Sequence, residues 1–351
     1  MFRVSVVAVA ALLLILALSS GAGAQTWSSR LGQDPACRTL TPAAAGGALP
    51  KNQDLIVLRY IGVSNYELTY QDTVILLDAG IDKLSWWVPT GVSAADMTKK
   101  VNAIFIGHAH GEHLWSAPMI AQKTGALVAG DPLAVAAMSV PSMPAKQLRT
   151  VKGLGEEGDF FKFSGFTAEA VLGHHNIVPG DYMAKDRAAA AAVGALQPPL
   201  TPEQQARDKQ LNAQLVPLPQ GQGDRLIKEG TISYFFQFDN GFRLWYGDSA
   251  GPTTTQEQAL AKRVGSIDVG LIPYYGGELA IPITMEYVRL FKPWMLLPTH
   301  HDGHRNRMLD MPIGPLGLAM RDENPKSVAI SPLYRTPICI DTLTKEYYVG
   351  Q

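Results

Sequence analysis

The eight histidines of the sequence fall into three short clusters. They are His108, His110, His113, His174, His175, His300, His301 and His304. Each cluster directly follows an apolar run that predicts a β-strand, and loops at strand ends are where a sheet presents reactive groups. Histidines with only a core or surface role would be scattered instead. Because neutral imidazole is a good ligand for divalent metals, this grouping predicts a metal site built from several loops.

The first cluster has the most informative spacing, His-x-His-x-Glu-His. His108 and His110 lie two positions apart at a strand end, so their side chains project to the same side and can hold one metal. Glu112 and His113 follow on the turn into a helix and can hold a second metal nearby. Gly107 precedes them, as a tight loop around an ion requires. The competing interpretation is a histidine-rich turn exposed to solvent.

This motif resembles the His-x-His-x-Asp-His signature of the metallo-β-lactamase-fold hydrolases. Four further landmarks of that family occur in the family's order along the chain. They are Asp78 in Leu-Leu-Asp-Ala-Gly, His174 or His175 after a strand, Asp248 in Tyr-Gly-Asp-Ser, and His300 in Leu-Pro-Thr-His. The resemblance spans residues 56–304 and implies the family's α/β fold, a four-layer αβ/βα sandwich. The short Pro-Thr-His ending resembles the lactonase and phospholipase-D-like branch more than the true β-lactamases.

The resemblance implies two metal sites that share a carboxylate. The first site consists of His108, His110 and His175, the second of Glu112, His113 and His300, and Asp248 lies between the two ions. His174 remains an alternative to His175, because the Gly-His-His segment aligns with the family's third histidine in two ways. Asp78 is implied as a hydrogen-bond acceptor that orients ligating histidines rather than as a ligand. The implied cofactor is a pair of Zn²⁺ ions, with iron or manganese as alternatives.

Glu112 departs from the family pattern, which usually has aspartate at this position. The extra methylene group changes how far the carboxylate reaches toward the second metal. Three outcomes stay open: a dinuclear pair with a shifted second ion, a weak second site, or a single metal.

The resemblance implies a metal-dependent hydrolase in which a hydroxide bridging the metals attacks an ester, lactone, amide or phosphodiester. Asp248 would position this hydroxide, and His301 is a candidate proton relay, for which an exposed polar turn is the alternative. Other interpretations are a true class B-like β-lactamase and a non-catalytic metal-binding or sensing protein of the same fold. A di-iron redox role is also open, although no flavin-binding segment follows. No motif identifies the substrate, which we expect to be a small molecule.

The first 24 residues have the features of a secretory signal peptide. A positive start at Met1–Arg3 precedes the apolar run Val4–Leu18 and a small-residue cleavage site at Ala22–Ala24. We therefore expect a periplasmic or secreted protein, cleaved after Ala24 and without a stable membrane anchor. In an oxidising compartment, Cys37 and Cys339 either form a disulfide or remain two separate buried thiols.

Charge and composition limit the remaining possibilities. The 30 basic and 31 acidic side chains give a net charge of −1, whereas nucleic-acid binders usually carry a basic excess. Residues 25–50 are rich in Ser, Ala, Gly and Pro and predict a loose lead-in. Residues 51–351 predict one domain of the implied fold, with an inserted, mainly helical segment at about 176–229. The oligomeric state stays open.

The order of the predicted elements agrees with this domain. A run of short strands comes first, and helices then alternate with strands, twice along the chain, which predicts two sheets flanked by helices. The predicted elements include strands at residues 54–60 and 232–238 and helices at residues 94–101, 132–138 and 255–264.

Overall fold

The computed structural model describes residues 28–85, 87–175, 199–216, 231–275, 280–302 and 313–350. The predicted signal peptide, both ends of the predicted insertion and His304 lie outside these ranges. Within the described part of the chain, no helix has the length and apolar character that a membrane span requires.

The strands of the described residues form two mixed sheets. In chain order they are β1 Leu55–Gly62, β2 Asn65–Tyr70, β3 Thr73–Leu77, β4 Ala103–Phe105, β5 Leu127–Gly130, β6 Leu148–Thr150, β7 Phe160–Phe163, β8 Phe166–Gly173, β9 Thr231–Phe238, β10 Arg243–Tyr246, β11 Val269–Pro273, β12 Met295–Thr299, β13 Val328–Ala329, β14 Pro337–Asp341 and β15 Tyr347–Val349. The eight-stranded sheet has the order β15-β14-β1-β2-β3-β4-β5-β6, and the seven-stranded sheet has the order β13-β12-β11-β10-β9-β8-β7.

The α-helices of the described residues lie outside the two sheets. They are α1 Gly111–Leu114, α2 Ala117–Thr124, α3 Pro132–Met138, α4 Pro202–Asn212, α5 Thr255–Val264, α6 Ala280–Phe291 and α7 Ile313–Glu323. The helices α2 and α3 bury apolar side chains against the outer face of the first sheet. The helices α5, α6 and α7 do the same on the second sheet.

A third apolar core lies between the sheets. Side chains of both sheets meet there, among them Leu58 and Phe105 from the first and Phe236 and Leu271 from the second. Because successive strand residues point to opposite faces, strands covered on both faces are apolar along most of their length, as in the Leu-Ile-Val-Leu run that opens β1. The result is four layers, helix, sheet, sheet and helix, and the predicted α/β sandwich is confirmed.

The segment from residue 28 to residue 50 is packed onto the first sheet, although its composition predicts a loose lead-in. Arg59 and Glu67 form a fully buried ion pair at 3.0 Å. Further hydrogen bonds offset the cost of burying such a pair. The segment supplies several of them, since the carbonyl oxygen of Ala36 accepts from Arg59 at 2.5 Å and the amides of Ala43 and Ala44 donate to Glu67. Among the described residues, Nε of Arg59 has no hydrogen-bond partner.

A disulfide joins this segment to the same sheet. Cys37 is bonded to Cys339 on β14, with 6.0 Å between their Cα atoms. Of the two possibilities for these cysteines, the structure has the bonded one.

The element predictions agree with the structure in most places. Helices α3 and α5 have the predicted bounds, whereas residues 94–101 contain only a 3₁₀ turn at Asp96–Thr98 instead of a helix. Met97 inside this turn has non-helical backbone angles, φ −79° and ψ 31°, so the turn does not continue as an α-helix. Strands β14 and β15 and helix α7 were not predicted, and α4 lies in the described part of the predicted insertion.

Candidate metal centre

The predicted site residues all follow the carboxyl ends of strands. Asp78 follows β3, the first histidine cluster follows β4, His174 and His175 follow β8, Asp248 follows β10 and His300 follows β12. The loops at these strand ends meet at one edge of the molecule, so residues far apart in the sequence become neighbours. This is where α/β sheets generally present their functional groups.

Three histidines form the first group of potential ligands. The nitrogens of His108, His110 and His175 lie within 4.8 Å of one another. His108 Nε2 lies 2.8 Å from His110 Nδ1, and the ring of His175 is 4.8 Å from that of His108. Burial lowers the pKa of His108 well below its ordinary value, and the neighbouring histidines lower it further. Burial also lowers the pKa of His110. These imidazoles are therefore neutral near pH 7, which is the form that binds a metal.

His108 also belongs to a second group, with His113 and Asp248. The carboxylate of Asp248 lies between the two rings: Oδ2 contacts Nδ1 of His108, and Oδ1 lies 2.8 Å from Nδ1 of His113. All three side chains are buried. Asp248 therefore lies between His108 and His113, and its role as a carboxylate shared by two metals stays a prediction.

One buried atom of this second group, Nε2 of His113, has no hydrogen-bond partner among the described residues. Buried polar atoms are rarely left unpaired, because each costs free energy when it loses its contact with water. An unpaired imidazole nitrogen beside a buried carboxylate is what a cation-binding site provides when it is built from protein alone.

The pKa shifts in this group follow from its charges. Burial lowers the pKa of His113, but the carboxylates of Asp248 and Asp78 outweigh this and raise it well above the ordinary value. Burial raises the pKa of Asp248, but the charge of His113 outweighs it and lowers the pKa. A proton on His113 therefore compensates the two carboxylates, and a divalent cation can replace that proton as the positive charge.

Glu112 and His300 lie beside these groups rather than within them. In the ranges that the structure describes, neither belongs to a set of donors within 4.8 Å of one another. The ring of His300 is 5.1 Å from that of His113. Burial raises the pKa of Glu112, but the charges of His113 and His110 outweigh it and lower the pKa, so the carboxylate stays ionised. Both residues are near enough to be second-site ligands, and that assignment stays a prediction.

The two adjacent histidines after β8 have different surroundings. His175 belongs to the first group, whereas His174 Nδ1 contacts the carbonyl oxygen of Pro252 at 3.1 Å. The geometry thus favours His175 over His174 as the third ligand.

Asp78 is surrounded by hydrogen-bond donors. Its carboxylate accepts from the amide of Gly107 at 2.9 Å, from the hydroxyl of Tyr246 at 2.5 Å and from the hydroxyl of Ser64. It also contacts His113 Nδ1 at 2.6 Å. These contacts hold the ring of His113 and the loop that carries His108, and the role of Asp78 in orienting metal ligands stays a prediction.

Sequence reasoning missed the β1–β2 turn, residues 62–65. Ser64 contacts both Asp78 and His113. The side chain of Asn65 accepts from the amide of Gly80 at 2.6 Å and donates to the carbonyl oxygen of Glu112. Ser and Asn are ordinary hairpin residues, so no sequence signal distinguished them.

His301 lies in neither group of the described donors. It is buried, and its ring is 4.7 Å from that of Tyr60. His301 itself is therefore not exposed, and its proton-relay role stays a prediction.

Comparisons with solved structures show which known fold has this arrangement of sheets. No protein-family model matches the sequence. The chain is similar to Igni18, a metallo hydrolase from the hyperthermophilic archaeon Ignicoccus hospitalis, with a TM-score of 0.55 and 14% identity over 82% of this chain and 98% of the other. The chain has the metallo-β-lactamase fold.

Two further structures of similar extent match this metallo-β-lactamase-fold chain with lower scores. A possible metal-dependent hydrolase from Veillonella parvula matches with a TM-score of 0.49 and 12% identity, over 82% of this chain and 98% of the other. The isothiocyanate hydrolase from Delia radicum gut bacteria matches with a TM-score of 0.49 and 14% identity, over 80% of this chain and 97% of the other.

Proposed function

We propose that this protein is a metal-dependent hydrolase that acts on an ester, lactone, amide or phosphodiester. The observation that carries the proposal is the convergence of His108, His113 and Asp248, with the buried Nε2 of His113 unpaired among the described residues. The similarity to Igni18, described as a metallo hydrolase, supports the same chemistry.

The donor set fits two borderline-soft divalent ions such as zinc. One ion would be held by His108, His110 and His175, the other by Glu112, His113 and His300, with Asp248 shared. Zinc held there would lower the pKa of a bound water toward neutrality and would polarise the oxygen of the group under attack.

The chain's own residues position this chemistry. The buried carboxylate of Asp248 contacts both His108 and His113, which places it to orient a nucleophilic water and accept its proton. Asp78 is occupied by Gly107, Tyr246 and Ser64 and holds the ring of His113 in place. No serine or cysteine nucleophile is required.

Metal analysis and a substrate panel test the proposal together. We expect about two zinc ions per chain, and chelator-sensitive turnover of at least one member of a panel of esters, lactones, β-lactams and phosphodiesters. His110→Ala should lose most activity and part of the metal, while Asn240→Ala, on the β9–β10 turn, serves as a control. A protein that binds metal but turns over none of the panel would support the non-catalytic alternative. Activity that survives His110→Ala would contradict the proposal.

We propose further that the protein is exported. The Cys37–Cys339 disulfide supports this, because disulfides persist in oxidising compartments. Cell fractionation with N-terminal sequencing should find a chain that begins at Gln25 in the periplasm or medium. An unprocessed chain that stays in the cytoplasm would contradict this proposal.

A further inference from the structure

A cleft of about 810 Å³ lies beside the candidate metal centre. Its walls are formed by residues 81–85 and 87–93, which follow β3 and Asp78, by Asp96, and by Gln204 and Arg207 of α4. None of the residues of the two donor groups is part of this described lining. The volume lies within the range of small-molecule sites, about 300–1,000 Å³.

The lining combines apolar walls with a few charges. The apolar residues are Ile81, Leu84, Trp87, Val88, Pro89 and Val92. Two acids in the lining are engaged by their own loop: Asp82 accepts from the amide of Ala94 at 2.9 Å, and Asp96 accepts from that of Ser93 at 2.8 Å. The lining also holds two cations, Lys83 and Arg207, and these are the groups that an anionic ligand would contact.

Lys83 is the more buried of these cations, with 6% of its surface exposed. Among the described residues, its ammonium makes one hydrogen bond, to the carbonyl oxygen of Gly80 at 2.8 Å. An ammonium has three donors, so it can serve a further acceptor. Burial lowers the pKa of Lys83 to about 8, and the charges of Asp302, Glu112, Asp78 and Asp82 oppose the shift, so the group is largely protonated at pH 7.

Helix α4 closes the other side of the cleft. The carboxylate of Asp208 accepts from the amide of Ser85 at 2.9 Å and from its hydroxyl at 2.7 Å. Arg207 donates to the carbonyl oxygen of Lys83. These bonds hold the second cation, the guanidinium of Arg207, at the cleft wall.

The loop that lines the cleft contacts the loop of the candidate metal centre at Gly80. This residue accepts the Lys83 hydrogen bond, and a Cβ atom on it would lie 1.7 Å from the carbonyl oxygen of Glu112. The loop that carries Lys83 is therefore in direct contact with the loop of a predicted metal ligand.

We propose that this cleft binds an organic anion, with its apolar body against the Trp87 wall and its carboxylate, sulfonate or phosphate group on Lys83. The guanidinium of Arg207 contacts the same anionic group from the side of helix α4. That the anion is the substrate rests on the proposed function, whereas anion binding itself does not depend on metal. A hydrolase with this cleft would prefer substrates that carry a negative charge away from the scissile bond.

A pair of fluorescent probes tests the binding step on the full mature chain after treatment with a chelator. The probes are 8-anilino-1-naphthalenesulfonate, an apolar anion, and N-phenyl-1-naphthylamine, its neutral counterpart. We expect saturable binding of the anion, weakened about tenfold by Lys83→Met and little by Lys83→Arg, because hydrogen bonds to charged groups are among the stronger ones. The neutral probe should bind all three proteins equally.

Lys162→Met, on the exposed side of β7, is the matched control and should bind both probes as the wild type does. Anion binding that is unchanged in Lys83→Met, or absent from the wild type, would overturn the proposal. Equal loss of both probes would show a collapsed cleft rather than a missing charge and would also overturn it. If Lys83→Met does not fold, Arg207→Met provides the test, with a weaker but selective loss of the anion expected.

Measurements of turnover distinguish a failure of this proposal from a failure of the proposed function. With metal restored, the anionic probe should inhibit hydrolysis competitively, and Lys83→Met should raise KM for charged substrates more than it lowers kcat. Non-competitive inhibition would contradict a substrate role for the cleft. Absence of all turnover would contradict the proposed function and leave the binding result unaffected.

Discussion

The backbone amide of His300 donates a hydrogen bond of 2.6 Å to the carbonyl oxygen of Val63. Both residues have positive φ angles, 56° and 60°, in a region that costs free energy for residues other than glycine. The amide of Val63 donates in turn to both carboxylate oxygens of Asp302 at 3.0 Å. A predicted metal ligand is thus held by a turn that contributes no ligand itself.

Replacing Asp302 should loosen this support. In Asp302→Asn, one oxygen becomes an amide nitrogen that cannot accept from Val63 or from the hydroxyl of Tyr334, which donates to Oδ2 at 2.8 Å. We expect the affinity for the second metal to fall about tenfold or more, as is typical of residues that hold ligands in place. Calorimetric zinc titration measures this, and Asp72→Asn, on the exposed β2–β3 turn, is the control. An unchanged second binding step would contradict the role of Asp302.

Gly107 should tolerate no side chain. A Cβ atom at this position would lie 1.9 Å from Cγ of Asp248, so Gly107→Ala must displace the shared carboxylate. We expect metal content to drop to one ion or fewer, together with loss of activity. Gly158→Ala is the matched control, because a Cβ atom there meets no atom within 4 Å. Elemental analysis of both variants provides the test, and full metal content in Gly107→Ala would refute this account of the loop.

The two histidines after β8 should respond differently to removal. His175 lies with His108 and His110, whereas His174 contacts Pro252, so His175→Ala should lose metal and His174→Ala should keep it. Because the residues are adjacent, each variant controls for damage to the local backbone. Loss of metal in His174→Ala alone would reverse the ligand assignment.

A buried carboxyl group away from the metal centre should make stability depend on pH. Burial raises the pKa of Glu257 to about 7, from 4.5 in its ordinary state, although its bonds to Thr254 oppose the shift. The folded state therefore favours the protonated acid. Its stabilising contribution is complete below about pH 4.5 and is lost as the pH rises to about 7.

The expected change is up to about 3 kcal/mol in the free energy of unfolding, since one pKa unit corresponds to about 1.4 kcal/mol. Glu257→Gln does not titrate, so the wild type should lose stability relative to this variant between pH 5 and pH 8. Urea unfolding at several pH values measures the difference. Parallel pH profiles for the two proteins would show that Glu257 is not the responsible group.

The parts of the site that could be predicted are those with local spacing or distinctive residue types. His108, His110 and His113 lie within six residues, and the Gly-Asp-Ser context distinguishes Asp248. Ser64 could not be found this way, because its contacts with Asp78 and His113 arise only when β1, β3 and β4 assemble.

The same reason explains where the fold prediction stopped. Strand β14 pairs with β1 across most of the chain length, and no local pattern encodes that pairing. Residues 28–50 are held in place by hydrogen bonds to the distant pair of Arg59 and Glu67. Composition contains no information on these bonds, so it predicted a loose segment. Helices with their own caps, such as α5 with its Thr254–Glu257 capping box, were predicted to the residue.

The most direct test of the central claim is an anomalous difference map at the zinc absorption edge, from crystals grown with zinc. The account predicts two peaks, one among His108, His110 and His175 and one beside His113 and Glu112, with the Asp248 carboxylate between them. Ordered density for these side chains with no peak among His108, His113 and Asp248 would contradict it.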